Sequence, residues 1–465
     1  MSGNEKTKLR SRPRRPGFGG ALRNPIRRTL GALSTGPVAP RRATRPIPPR
    51  TKVGRLRTIA SRKSLSRDGM APLLSAMLLG LAMPAHAMTY EQRQQLDLSS
   101  YVVTAPDASY FDVEARMALL DKTDNDILLN RSAQLARGPS CRQMLAKPPL
   151  DGVIRIPGYY PSPEAWELAS VPLFEFEDAV TNLAGAYVAS GDGYYADCLV
   201  RFLDKWARQD AIASFYYSRH DPQAWYSTES LIFAAAFAYS IARPAVDDRP
   251  QAIERIDRWL NRLAWTHSSI RGGKGDCCNN HFYRRALYAS MIGVLTKDDE
   301  LFQFGVSAVY SALSDMTPEG AFPLEMARGR RASHYQNYAL IYLVNIMQVA
   351  YRQGYDLFAL ERHGHTIDDA VQFVLDTFED PAALGDLATH AQYRGFLDDA
   401  QYLAWMEIYL RHRDDLRLSE YVRPRRPLDN RSAGGYATFY FMDPGAQRRA
   451  IPDAEPDRLA GIERH

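Results

Sequence analysis

The longest apolar run of the chain, Ala71–Met83, falls short of the roughly 20 residues that a membrane helix needs. Cysteine is scarce: Cys141, Cys198, Cys277 and Cys278 are all that 465 residues contain. The adjacent Cys277-Cys278 lacks the second pair and the spacing of a zinc site, which leaves a vicinal disulfide or two buried thiols. Cys141–Cys198 is the expected structural bridge, because an oxidising compartment permits one. Strand signals are few, confined to Val153–Ile156 and to Tyr436–Phe441 after Gly434-Gly435. Gly272-Gly273-Lys274-Gly275 lacks the Gly-x-x-x-x-Gly-Lys-Ser/Thr spacing of a phosphate loop and reads as an ordinary loop.

Acidic residues are almost missing from one region. Residues 1–69 hold only Glu5 and Asp68 against 19 Lys and Arg, and they carry little apolar periodicity. Such a segment cannot bury enough surface to fold. It reads as a segment upstream of the true start at Met70, or else as a nucleic-acid-binding arm. From Arg62 a charged leader precedes the apolar run, and Pro84-Ala85-His86-Ala87 supplies an A-x-A ending. This is a secretory signal pattern over residues 70–87, with cleavage expected after Ala87 and a periplasmic or secreted product.

Beyond Ala87 lie 378 residues with 39 Lys and Arg against 51 Asp and Glu, a net charge of −12. A body of that sign has no global attraction for nucleic acid or for an anionic membrane. Any anionic ligand has to be gripped by a local basic patch. The body is long enough for one large domain, expected over 88–430 with a tail at 431–465.

Helical periodicity is abundant in this body. Apolar residues recur at three- and four-residue intervals over Pro163–Ser190, Tyr194–Ala211, Ala224–Ala242, Gln251–Ser269, His281–Thr296, Asp299–Met316, Ala332–Gln353, Asp368–Phe378 and Asp398–His412. Turn residues such as Gly191-Asp192-Gly193 and Pro318-Glu319-Gly320 separate them. The class is all-α, and paired helices at intervals of about 40–50 residues suggest an α/α solenoid closed into a toroid. An ordinary helical bundle fits the same helix count.

Two segments carry chemistry. Asn279-Asn280-His281 opens a helix after the glycine-rich loop; Asn is a favoured cap, and a helix N-terminus offers free N–H groups to an anion. Arg328 and Tyr335 stand seven residues apart, which returns them to one face if a helix begins near Arg328. The guanidinium would then favour tyrosinate and lower the tyrosine pKa. Arg330 and Arg331 add positive charge. Taken singly, each segment also fits a capped helix or a solvated basic helix start.

Together they resemble the alginate lyases of polysaccharide lyase family five. The resemblance rests on Asn279-Asn280-His281-Phe282-Tyr283 and on the run Met326-Ala327-Arg328-Gly329-Arg330-Arg331-Ala332-Ser333-His334-Tyr335-Gln336-Asn337, and extends more loosely from Cys141 to Pro381. It implies an incomplete (α/α) toroid with a deep cleft, no metal and no cofactor. It also implies β-elimination on a uronate polymer, leaving a 4,5-unsaturated end. Asn280, His281 and Arg328 would offset the substrate carboxylate, and Tyr335 would move the protons. Tyr159 or Tyr160 matches the family's lid tyrosine. Asn279, Tyr283, Arg284, Trp225 and Arg331 join these two tyrosines as candidate substrate contacts. Two departures stand out: Arg284 where the family has Trp, and Glu229 where it often has Lys. Arg284, one helical turn from His281, is expected to reach the cleft as a fork for a carboxylate, widening activity beyond poly-mannuronate.

The partner so implied is an acidic polysaccharide acted on by a monomer. A toroidal glycoside hydrolase would need two opposed carboxylates, for which only Glu325 and Asp276 offer themselves. A non-catalytic polysaccharide-binding protein would keep aromatic platforms such as Trp225 and Tyr226 without needing Tyr335.

Overall fold

Eight of the nine expected helices form, most of them within a residue or two of their sequence-read ends. The computed structural model describes residues 87–445 apart from 219 and 272–276. Residues 1–69, nearly all of the expected leader and the glycine-rich loop therefore lie outside the described residues. Eight long helices organise the described part: α1 (Pro163–Ser190), α2 (Gly193–Arg208), α3 (Gln223–Ala242), α4 (Pro250–Ser268), α5 (Asn280–Thr296), α6 (Asp299–Asp315), α7 (Ala332–Arg352) and α8 (Ile367–Glu379). None of the described helices is long and apolar enough to cross a membrane.

Each odd-numbered helix turns back into the even-numbered one after it. Two of these turns need only two residues. Gly191 ends α1 in the left-handed region (φ 65°), and the Asp192 carboxylate accepts from Tyr194 N at 2.9 Å to cap α2. Lys297 (φ 56°) and Asp298 do the same between α5 and α6, with Leu301 N donating to Asp298 at 3.1 Å. A cap of this kind contributes about 1 kcal/mol.

The odd helices pack in succession, α1 on α3, α3 on α5 and α5 on α7, while α2 packs on α4 outside them. The sequence dictates this sorting. α3 and α7 are buried along almost their whole length and have no solvent face. α4 buries one face, with the stripe of Ile256, Trp259, Leu260 and Leu263 at its centre, and turns Arg and Asp outward. An inner row in which α3, α5 and α7 are almost wholly buried, backed by an amphipathic outer row, is an incomplete (α/α) toroid.

Three expectations are corrected. Among the described residues no strand forms: Val153–Ile156 shrinks to one bridge, in which Ile154 N donates to Ser214 O and Ile154 O accepts from Tyr216 N. Tyr436–Phe441 is helical over Ala437–Phe441, with every residue of that helix buried. A short run buried on all sides has no period to distinguish strand from helix. It belongs to the core rather than to a tail, because the buried Arg116 guanidinium donates to the carbonyls of Thr438, Phe439 and Met442. Asp398–His412 breaks into short turns and the helix Trp405–Tyr409. Asp399 caps one piece, and the Asn337 side chain pins the rest by donating to Tyr402 O and accepting from Trp405 Nε1.

The disulfide Cys141–Cys198 ties the short helix Cys141–Ala146 to α2, as expected. Before it, the segment from Met88 to Gln94 clasps the α5–α6 pair. Arg93 is buried between the rings of Phe282 and Phe304 and donates to Ser307 Oγ at 3.0 Å. Met88 N donates to the buried Asp315 carboxylate at 2.6 Å, and that carboxylate's other oxygen has no hydrogen-bond partner.

Candidate active site

Asn279 caps α5 by accepting from His281 N at 3.0 Å, which holds the next two side chains in the helix's first turn. His281 is half-buried, and its ring lies parallel to Tyr226 of α3 with centroids 4.1 Å apart. Burial, then the charges of Arg328, Arg284 and Arg285, hold its pKa well below 6.5, so the imidazole is neutral. Cys277 and Cys278, bonded to each other, lead into this cap.

The second segment reaches the first through Glu325, which sequence pattern alone presents only as a hydrolase acid. Glu325 is fully buried in the short helix Pro323–Met326. One carboxylate oxygen accepts from Asn280 N at 2.6 Å and the other from Asn280 Nδ2 at 2.8 Å, while Arg328 Nε lies 3.8 Å away. Burial raises its pKa to about 7 against the pull of Arg328 and the two Asn280 bonds. Glu325 thus fixes Asn280 and Arg328 to each other, and its oxygens are taken. Asp276, the other acid a hydrolase would need, lies outside the described residues.

Arg328 does not share a helix with Tyr335, contrary to expectation. Gly329 (φ 56°) breaks the path, and α7 begins only at Ala332. The guanidinium nevertheless folds back over the Tyr335 ring, 4.5 Å from its centroid. Gln336 keeps the approach in place: it accepts from Phe322 N at 2.9 Å and donates to Gly320 O at 3.0 Å. The Tyr335 hydroxyl meets that of Tyr160 at 2.6 Å. Tyr335's pKa is raised, not lowered, because burial and the Tyr160 hydrogen bond outweigh Arg328. The resting group is a phenol.

Of the candidate contacts, Tyr160 is exposed beside Tyr335, and Arg331 lies over its ring at 5.0 Å. Tyr159 is exposed and packs edge-on against Tyr160 and Trp166. The structure turns the others inward. Trp225 is fully buried with the Arg285 guanidinium 4.8 Å over its ring, so it is no sugar platform. Tyr283 is buried and donates to Cys278 O at 2.7 Å, and Asn279 is spent on the cap. Arg284 neither reaches the cleft as a free fork nor faces solvent. It is buried 3.4 Å from Glu229 and donates to Tyr226 O and Ser230 Oγ. The two departures from the family pattern are one buried ion pair, and the expected widening of substrate range loses its basis.

Tyr226, placed on His281 from a helix some fifty residues earlier, is visible in sequence only as an aromatic, since no spacing rule links the two. Among the described residues no group of three or more His, Cys, Asp or Glu is placed to hold a metal.

A family model described as alginate lyase matches residues 108–384. The chain is 30% identical over 304 residues to a polysaccharide lyase of Stenotrophomonas maltophilia, an alignment covering 63% of this chain and 89% of that one. An alginate lyase of Pseudomonas entomophila is 28% identical, with 62% and 78% covered. Among solved structures, alginate lyase A1-III from Sphingomonas species A1 superposes with a TM-score of 0.68 at 32% identity, over 75% of this chain and 99% of that one. A1-III complexed with a tetrasaccharide gives 0.67 at 33% identity and the same coverage.

Proposed function

We propose roles for the site residues from the premise that the chain belongs to the alginate lyase family and is a polysaccharide lyase. Its substrate class is a β-linked uronate polymer, with alginate the first choice, since the relatives are named for it. Elimination removes the C5 proton, breaks the bond from C4 to the glycosidic oxygen, protonates that oxygen and leaves a C4=C5 double bond. The proton is acidic only if the neighbouring carboxylate's charge is offset as the intermediate forms.

Arg328 supplies the positive charge for that task. Asn280 and the neutral His281 supply hydrogen bonds. A histidine whose pKa is driven far down is a poor base, so both proton transfers fall to Tyr335. Its phenol is ready as the acid toward the leaving oxygen. As base it first needs the phenolate, formed by loss of the phenol proton to solvent and favoured by Arg328 once substrate replaces the Tyr160 contact. The proton it then takes from C5 is the one it gives to the leaving oxygen. The observation that carries this reading is the Arg328 guanidinium lying over the ring of a tyrosine whose hydroxyl is held by a second, exposed tyrosine. The Asn280–Glu325–Arg328 linkage supports it by uniting the two motifs.

The test is a panel of purified uronate polymers followed by ultraviolet absorbance of the new double bond. Hydrolysis with no rise in absorbance would overturn the reading. One chain supplies every named group, which supports a monomer. The signal pattern ending at Ala87 supports export to the periplasm or beyond.

A further inference from the structure

We infer that Arg284 is a positioning residue for His281, acting through Tyr226. An imidazole is usually oriented by a hydrogen bond from the ring nitrogen that does no chemistry. Here His281 Nδ1 is buried with no hydrogen-bond partner. What fixes the ring plane is the parallel face of Tyr226, 4.1 Å away at an interplanar angle of 19°. Tyr226 ends the first turn of α3, where its N–H makes the first bond of the helix, to the cap carbonyl Pro222 O at 3.1 Å.

Arg284 closes that turn. Its Nη2 donates to Tyr226 O and, one turn further on, to Ser230 Oγ at 2.6 Å. One guanidinium on α5 thus clamps the first turn of α3, and it stands one turn from the histidine on its own helix. A buried cation is tolerated only with a counter-charge, and Glu229, fully buried at 3.4 Å on the same turn of α3, provides it. The neighbouring Arg285 covers the Trp225 ring, and Trp225 stacks on Tyr226 at 5.3 Å, so the platform is supported from behind as well.

The inference rests on the role given to His281 above, so His281→Ala serves as the reference. Arg284→Gln, Tyr226→Leu, their double variant and the charge-neutral Glu229→Gln/Arg284→Gln are purified and their melting curves compared with the parent. Turnover and KM are then measured on alginate. Loss of orientation costs about one to two orders of magnitude in kcat, with KM within a few-fold. The double Arg284→Gln/Tyr226→Leu should fall no further than the worse single variant, because both changes break the same chain of contacts. Arg284→Lys, which keeps the charge and one donor, should recover part of the loss. If Arg284→Gln fails to fold, the neutral double variant takes its place with the same expected loss. A folded variant lacking Arg284 with parental kcat overturns the inference, as do losses for Arg284→Gln and Tyr226→Leu that simply multiply. If His281→Ala itself stays active, the role of His281 fails first.

Discussion

A phenol and a carboxylate decide most of the chemistry at the residue scale. Tyr335→Phe removes one hydroxyl whose partner is the exposed hydroxyl of Tyr160. The fold should be unaffected and turnover should drop by at least about two orders of magnitude, the loss expected of a positioned acid–base group. A variant keeping more than a tenth of parental turnover would exclude Tyr335 from proton transfer. Glu325→Gln leaves one acceptor where Asn280 brings two donors, so Asn280 loses half its anchorage. We expect about tenfold less activity, as for a displaced charge-offsetting group. Because burial raises the Glu325 pKa to about 7, the carboxylate that holds Asn280 and Arg328 is present above that pH and lost below it. The parent's kcat should therefore climb between pH 6 and 8, and the Gln variant should lack that limb. Sequence is unevenly legible at this scale. Asn280, His281, Arg328 and Tyr335 obey a recognisable spacing, whereas Glu229 and Tyr226 meet α5 only through packing between helices distant in sequence.

At the scale of elements, legibility tracks burial. Helices with one dry face, such as α2 and α4, announce themselves by a stripe. The helix Ala437–Phe441 has no wet face and reads equally well as a strand. The region 398–412 has helical periodicity, but its backbone groups are claimed by the side chains of Asp399 and Asn337, a long-range effect that no local pattern contains. The covalent tie between the helix Cys141–Ala146 and α2 closes a span of 57 residues. Replacing both Cys141 and Cys198 with Ser should lower unfolding free energy by about 3–4 kcal/mol in denaturant titration, with kcat near the parental value. Loss of activity at full stability would mean that this tie shapes the cleft.

For the whole molecule, stability should peak in mildly acid solution. Burial depresses His267 to about 3 and His334 and His412 to about 4, with His281 also well below 6.5. The unfolded chain takes up those protons and the folded one does not, so stability falls as pH drops below 6.5. Burial raises Glu177 to about 8, Asp315 and Glu325 to about 7 and Asp429 to about 6. Here the folded chain holds protons that the unfolded one releases, so stability falls as pH rises from ordinary carboxylate values toward 8. The two sets oppose each other between about pH 4.5 and 6.5, and beyond either edge one acts alone. Melting temperatures across pH 4–8 should trace a dome, and a steady rise from pH 6.5 to 8 would refute it.

The nitrogen of Met88 has a practical bearing on how this protein is made. In an unprocessed or tagged chain it is an amide with one hydrogen, given to one oxygen of Asp315. Cut after Ala87, it becomes an ammonium with three, able to serve the second, unpartnered oxygen as well and to neutralise a carboxylate that burial otherwise keeps reluctant to ionise. A product cut as the proposed signal pattern requires would begin at Met88. It should melt higher at pH 8 than the same chain carrying a purification tag fused ahead of that residue, and Asp315→Asn should erase the difference. Equal melting of tagged and untagged protein would remove any contribution from the freed amine. Tags belong at the other end.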